Sequence, residues 1–182
     1  MSSLGAIYLD SAIKRLLTYK HLGEKTFAQL EEKDFHYTPN TESNSISVII
    51  RHLHGNMLSR WTNFLTEDGE KESRNRDTEF NPPAMGKTAL LDLWEEGWTC
   101  LLDTLRSLRD EDLLRTITIR HEPLIVIDAI NRQLAHYPHH VGQIVYIGKM
   151  IRNEKWQNLS IPKGASAAFN RQMKEEHPGD GQ

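Results

Sequence analysis

The sequence predicts an all-α protein, a four-helix bundle in which a long crossover loop joins the second and third helices. Four long segments repeat apolar residues at helical spacing, and polar residues or proline separate each segment from the next. One polar connection, residues 66–86, is unusually long for a compact domain and is therefore expected to be functional or mobile. A chain of 182 residues suits one domain, which we predict to span residues 1–182.

The first predicted helix covers residues 4–31, where apolar side chains recur every three or four positions. Residues 34–44 include Pro39 and several small polar side chains, which is typical of a loop. The second helix is expected to begin near residues 43–45, because serine and asparagine side chains accept hydrogen bonds from the free amides of a first turn. Its apolar stripe consists of Ile46, Ile49, Ile50, Leu53, Met57, Trp61 and Phe64.

The second half of the chain contains the two remaining long helices. Helical spacing predicts the third over residues 87–108 and the fourth over residues 126–152. Between them, residues 116–127 are rich in β-branched side chains and predict a small hairpin. A short last helix is expected at 165–176, followed by a frayed tail at 177–182.

Composition and charge exclude several classes of protein. The formal net charge is −3 and the basic residues are scattered, so the sequence lacks the basic stripe of a nucleic-acid-binding surface. No apolar run approaches the length of about 20 residues that a membrane helix needs, and the first residues lack the order of a signal peptide. The single cysteine, Cys100, fits a reducing compartment. We therefore predict a cytoplasmic protein that binds neither nucleic acid nor membrane.

Histidine is the unusual feature, with nine copies in the chain. His136 and His140 are four residues apart, so on a helix their Cβ atoms lie about 5–6 Å apart on one face. Two such imidazoles can share a metal ion. The intervening His139 points away from the apolar stripe of its helix and is predicted to be exposed. The second helix offers His52 and His54 as a third ligand, and periodicity alone does not choose between them.

Other interpretations stand beside this hypothesis. A histidine pair at this spacing is often an ordinary surface feature, and His52 on the flank of its helix could be a polar boundary residue. Polar neighbours on that flank favour His52 over His54. Pro138 lies between the two paired histidines and is expected to kink the helix, which would alter the direction of their rings.

The runs SISVIIRHL at 45–53 and HYPHHVGQ at 136–143 resemble motifs of the DinB-like superfamily of damage-inducible metalloenzymes. The helical run SISVIIRHL at 45–53 resembles the apolar helix of that family that ends in His-Leu. The run HYPHHVGQ at 136–143 is similar to its HxxxH motif followed by a Gly-Gln pair. Residues 68–71, 74–77 and 159–162 resemble an uncharacterised bacterial branch, so that the resemblance covers nearly the whole chain.

The resemblance implies a bundle in up-down-down-up order, a homodimer, and a divalent transition metal, zinc or nickel, bound by three histidines. Carried over by position, the ligands are His52, His136 and His140, which selects His52 over His54. The additional His54 and His139 depart from the family pattern. Relatives include thiol S-transferases that use bacillithiol or related thiols, and a mycothiol-dependent isomerase.

Three neutral imidazoles leave one coordination position open, as in catalytic rather than structural zinc sites. A thiol at that position loses its proton more readily because the cation stabilises the anion. The prediction is a metal-dependent hydrolase or transferase acting on a small-molecule substrate, such as a bacillithiol S-transferase, with no catalytic residue assigned. The alternatives are a non-catalytic metal-binding or dimerisation module, and an interaction domain whose histidines bind nothing.

Further side chains are candidates for supporting roles. Asn56 and Gln143 each lie about one turn from a proposed ligand and could orient its imidazole. Arg60, Arg74 and Arg76 could recognise ligand carboxylates, although a solvated charged loop is the other explanation. Cys100 and the tryptophans Trp61, Trp94 and Trp98 are predicted to belong to the core.

Overall fold

The computed structural model describes residues 3–177, which are mostly helical with one small sheet of two strands. Of the predicted frayed tail at 177–182, residues 178–182 lie outside the described residues. The helices are α1 Leu4–Phe27, α2 Ile46–Trp61, α3 Arg76–Glu79, α4 Lys87–Ser107, α5 Val126–Arg152 and α6 Ser166–Glu176. The strands are β1 Thr116–Ile119 and β2 Glu122–Ile125. None of the helices in the described range is long and apolar enough to cross a membrane.

The helix ends follow from local hydrogen bonding. The hydroxyl of Ser45 accepts a hydrogen bond from the amide of Val48 and caps α2 at the position that the sequence predicts. Helix α1 ends four residues earlier than predicted, at Phe27. The ammonium group of Lys87 donates to the carbonyls of Phe27 and Leu30, at 3.0 and 2.7 Å, and so satisfies acceptors that a longer helix would use.

Helix α5 extends over the predicted residues and continues through Pro138. A proline within a helix removes one hydrogen-bond donor and crowds the preceding turn, but it does not end the helix here. The face of α5 predicted to be buried lies in the core: Ile130, Tyr137, Val141 and Ile144 are almost fully covered.

The predicted hairpin is confirmed as an antiparallel pair, in which Thr116 faces Ile125 and Ile119 faces Glu122. Its two turn residues, Arg120 and His121, have positive φ values of 55° and 64°, a conformation that costs most side chains free energy. The carboxylate of Asp68 accepts hydrogen bonds from both of their amides, each at 2.9 Å. These bonds stabilise the turn and join the hairpin to the long 66–86 connection.

Side-chain contacts show how the long helices pair. Tyr8 of α1 donates a hydrogen bond to the carbonyl of Ile127, and Thr26 lies against Gly148 at the other end of α5. Contacts thus progress in the same direction along both helices, so α1 and α5 run parallel. A Cβ on Gly23 would lie 2.5 Å from Cζ2 of Trp94, which shows how closely α1 approaches α4.

Helices α2 and α4 form the second pair. A Cβ on Gly97 would lie 3.3 Å from Cα of His54, and Thr104 donates a hydrogen bond to the carbonyl of Trp61. These contacts also progress in the same direction, so α2 and α4 run parallel. Trp61 donates from its indole to Tyr137 at 2.9 Å and connects this pair with α5. The core lies between the two pairs, while α6 contributes no buried residue.

Candidate metal centre

Three histidines from two helices converge on one point. His52 lies on the side of α2 that faces α5, and His136 and His140 lie one turn apart on α5. The Nε2 atom of His136 is 3.4 Å from Nε2 of His52 and 3.1 Å from Nε2 of His140. Ligand nitrogens around a tetrahedral zinc ion are about 3.3 Å apart, because each lies about 2.0–2.1 Å from the metal. One nitrogen from each ring lies within 4.8 Å of the others, which fits a shared ion.

The tautomer of His52 is fixed by a buried carboxylate. Its Nδ1 atom lies 3.0 Å from Oε2 of Glu79, and both side chains are almost fully covered. Arg74 donates to the same carboxylate from Nε at 2.7 Å and from Nη2 at 2.9 Å. Burial alone would raise the pKa of Glu79, but the hydrogen bonds from His52 and Arg74 outweigh it and lower the pKa. The ionised carboxylate can only accept, so Nδ1 of His52 carries a proton, and in the neutral ring Nε2 then carries the lone pair.

Glutamine oxygens fix the other two rings in the same way. Nδ1 of His136 lies 3.3 Å from Oε1 of Gln133, and Nδ1 of His140 lies 2.9 Å from Oε1 of Gln143. The amide nitrogen of Gln143 lies 3.2 Å from Nε2 of His139, which agrees with its oxygen facing His140. Both rings therefore carry their proton on Nδ1, and their Nε2 atoms also present lone pairs.

As a result, the three Nε2 atoms face one another, each with a lone pair and without a proton between them. Protonation of the cluster is unfavourable. Burial, followed by the neighbouring His140 and His52, lowers the pKa of His136 to about 3. Burial likewise lowers the pKa of His140 to about 4, against the hydrogen bond to Gln143. Imidazole nitrogens in this arrangement suit a divalent cation such as zinc, nickel, copper or iron.

These pKa values predict a pH dependence for the metal-free protein. Because His136 and His140 titrate near 3 and 4 when folded and near 6.5 when unfolded, the unfolded chain binds up to two more protons in between. The stabilising contribution is complete above pH 6.5 and is lost progressively as the pH falls below it. Urea unfolding of chelator-treated protein from pH 7.5 to pH 5, in steps of about half a pH unit, measures the slope of the free energy of unfolding against pH. A slope unchanged in a variant with both histidines replaced by glutamine would contradict the assignment.

The sequence comparison with known families is consistent with a shared domain that contains this cluster. The family described as protein of unknown function (DUF1572) matches residues 3–165. The chain belongs to this family. The matched residues include α1 to α5 and all three histidines, and they end where α6 begins. No curated protein and no solved structure matches the chain.

The DUF1572 chain places its two extra histidines outside the cluster. His54, the competitor of His52 on α2, lies 2.9 Å from the carboxylate of Glu96 on α4 instead. His139 is exposed, as the periodicity of α5 predicts. Despite Pro138 between them, His136 and His140 still point to the same place.

Of the supporting side chains, Gln143 contacts its histidine as predicted, but Asn56 does not. Asn56 accepts a hydrogen bond from the buried hydroxyl of Tyr137 at 3.1 Å and is part of the core. The prediction missed Gln133 and Glu79. Gln133 precedes His136 by three positions, so helical spacing was an available signal for it. Glu79 lies 27 positions from His52 in a different element, and no local pattern connects them.

Of the three arginines that the sequence offered as ligand anchors or as part of a solvated loop, Arg60 and Arg74 pair with carboxylates inside the fold, whereas Arg76 is exposed. Arg60 is buried and donates to the carbonyl of Gly69 and to Glu70. The side chain of Arg74 is 4% exposed and pairs with Glu79. Arg76 lies over the ring of Phe80 at 4.9 Å. In the DUF1572 chain, this connection therefore supplies side chains that pack behind His52.

Proposed function

We propose that His52, His136 and His140 bind one divalent transition metal ion, zinc or nickel, and that the chain is a metal-dependent enzyme acting on a small molecule. One observation carries the proposal. Each ring has its Nδ1 atom opposite a side-chain oxygen, so the three Nε2 lone pairs face one another and require a cation between them. Burial lowers the pKa of His136 and His140, so protons are disfavoured as that cation.

The fold supports membership of the DinB-like superfamily, of which we propose this DUF1572 chain to be a member. Tyr137 contacts Asn56, and His140 approaches His52, so contacts along α5 progress in the opposite direction to those along α2. Together with the two parallel pairs, this supports a four-helix bundle in up-down-down-up order with the long crossover between α2 and α4. We further propose a single domain that forms a homodimer in the cytoplasm, the compartment that the single cysteine favours.

The proposed reaction class is hydrolysis or group transfer with a small nucleophile, either water or a thiol such as bacillithiol. A bound divalent ion supplies a Lewis acid that lowers the pKa of the nucleophile at its open position. The chain supplies the geometry. Glu79, Gln133 and Gln143 keep Nε2 of each ring unprotonated and fix the direction of each imidazole. Arg74 keeps Glu79 ionised, and the ring of Phe80 covers the ring of His52.

Metal analysis of protein expressed without a histidine tag tests this proposal. We expect about one zinc or nickel ion per chain after saturation and dialysis, and its removal by a chelator. Metal at a hundredfold excess over Kd should raise the free energy of unfolding by about 2.7 kcal/mol. Substoichiometric metal after saturation, or an unchanged melting temperature, would rule out the site.

Turnover separates an enzyme from the alternative, a non-catalytic metal-binding or dimerisation module. The metal-loaded protein is assayed with bacillithiol and a reactive electrophile, and separately with ester and amide substrates in water. The chelator-treated protein is the matched control. Turnover that depends on the metal supports the enzyme, whereas stoichiometric metal without turnover in either assay supports the module.

A further inference from the structure

A groove of about 690 Å³ lies next to the histidine cluster, between the loop at 39–44 and the C-terminal half of α5. Its volume falls within the range of small-molecule sites, about 300–1,000 Å³. Two lining residues are one turn from proposed ligands, because Ile49 precedes His52 and Gln143 follows His140, each by three positions. We propose that this groove binds a small organic cation, such as an alkylammonium group, as the substrate or its cationic part.

The first observation in favour of a ligand in this groove concerns Gly142. Glycine within a helix is less favourable than alanine by about 1 kcal/mol, so an interior glycine usually serves close packing. Gly148 on the same helix does so, because a Cβ there would lie 2.5 Å from Cγ2 of Thr26. A Cβ on Gly142, in contrast, would meet no atom within 4 Å, and the position faces the groove. The fold therefore does not need glycine at 142, whereas a ligand in the groove would.

The charge and shape of the lining indicate the class of ligand. Within residues 3–177, no lysine or arginine lines the groove, and the histidine that does, His139, contacts the amide of Gln143. The carboxylate of Glu42 lies at its rim, exposed and without an ion pair among the described residues. Tyr146 is 70% exposed and presents an aromatic ring, and Met150 is also exposed. A groove whose lining includes a carboxylate, an aromatic ring and apolar side chains attracts an organic cation and disfavours an anion.

The loop that carries Glu42 is well defined. The side-chain oxygen of Asn40 accepts hydrogen bonds from the amide of Glu42 at 3.1 Å and from the hydroxyl of Ser43 at 3.0 Å. The local turn thus holds the backbone of Glu42, from which its exposed side chain extends at the rim. On the opposite wall, Gln143 connects the groove to the cluster through its bond with His140. The substrate assignment rests on the proposed metal function, but the cation site itself does not.

The test uses the full chain with three probes of similar size: a trimethylalkylammonium ion, its neutral tert-butyl isostere and an alkyl carboxylate. Binding is measured by calorimetry and by saturation-transfer NMR, with and without saturating zinc. We expect the cation to bind about tenfold more tightly than the isostere, through an ion pair and a cation–π contact, and the carboxylate not to bind. Glu42→Gln should lower the affinity for the cation and leave that for the neutral isostere unchanged.

Gly142→Phe is the decisive variant, because a Cβ at this position meets no atom within 4 Å and the position lines the groove, so that a ring there would occupy ligand space. It should abolish cation binding while the metal content stays at the wild-type value. Thr99→Phe, at an exposed position on α4, is the matched control and should bind the cation normally. Unchanged cation binding in Gly142→Phe, or tighter binding of the carboxylate, would overturn the proposal. Loss of a dimer in Gly142→Phe, with no cation bound by the wild type, would show instead that the groove is an interface between copies.

The two proposals fail separately. If the wild type binds the cation through Glu42 and Gly142 but no metal, the groove proposal is supported and the proposed metal function is contradicted. If it binds the metal but none of the probes, the groove proposal is contradicted and the proposed metal function is supported.

Discussion

His136→Ala is expected to reduce zinc affinity by at least about a hundredfold, the upper end of the loss measured for residues that only orient a metal ligand. His136 has the central position in the cluster, since its Nε2 atom is the one within 3.4 Å of both other Nε2 atoms. Without it, His52 and His140 remain as two ligands, too few for a tight site. Competition with a chromophoric chelator measures the change.

The control for this variant lies three residues further along the same helix. His139→Ala removes an exposed imidazole that contacts the amide of Gln143, and it should bind zinc within about threefold of the wild type. A second measurement separates a ligand from a structural residue. In the metal-free protein, His136→Ala should lose less stability than the wild type between pH 6.5 and 5, because it removes a group whose pKa is lowered on folding. Equal zinc affinity in His136→Ala and the wild type would contradict the proposed ligand set.

Glu79→Ala is expected to destabilise the fold by about 3 kcal/mol, the loss seen when one partner of a buried ion pair is removed. The Glu79 carboxylate is 9% exposed and joins Arg74 to His52. Its removal leaves the buried guanidinium of Arg74 with Glu70 as its remaining carboxylate, at 3.4 Å. It also frees the tautomer of His52, which should reduce zinc affinity about 10- to 100-fold.

Glu96→Ala is the matched control, because Glu96 also contacts a histidine of α2, His54. Glu96 is 61% exposed, so this change should cost less than about 1 kcal/mol and leave zinc binding intact. Equal effects of the two variants in urea unfolding and zinc titration would show that Glu79 has no special role.

Gly55→Ala tests the same contact without removing a charge. A Cβ on Gly55 would lie 2.9 Å from Cδ of Glu79, so the carboxylate that bonds to His52 must shift. Alanine within a helix would by itself stabilise α2 by up to about 1 kcal/mol. We therefore expect a fall in zinc affinity even if the fold gains stability. A stabilised protein with unchanged zinc affinity would contradict the close approach of Glu79 to α2.

Much of the architecture could be predicted because it is encoded locally. Hydrophobic spacing determines which side of a helix is buried, and it predicted α5 over its observed length of 126–152. The serine at 45 marked the beginning of α2, and the β-branched run at 116–127 marked the hairpin. The same periodicity placed His136 and His140 on one face and exposed His139, since residues four apart on a helix share a side.

Other features depend on residues far apart in the chain. Periodicity could not choose between His52 and His54, because both flank the buried stripe of α2, and only the neighbouring helices distinguish them. α5 faces His52, while Glu96 of α4 pairs with His54. The arginines looked like free cations in a polar loop, but Arg60 and Arg74 are buried against Glu70 and Glu79. A charge pattern gives no sign of such a pairing.

By itself, the sequence determined the long helices, their buried faces and the histidine pair of α5, because spacing of three and four residues governs which side chains share a helix face. The tertiary structure alone decided that three Nε2 atoms meet, that Glu79 orients His52 and that a groove lies beside them. These features bring together residues 27 and 84 positions apart. Such contacts arise from packing between elements, and local side-chain spacing carries no information about them.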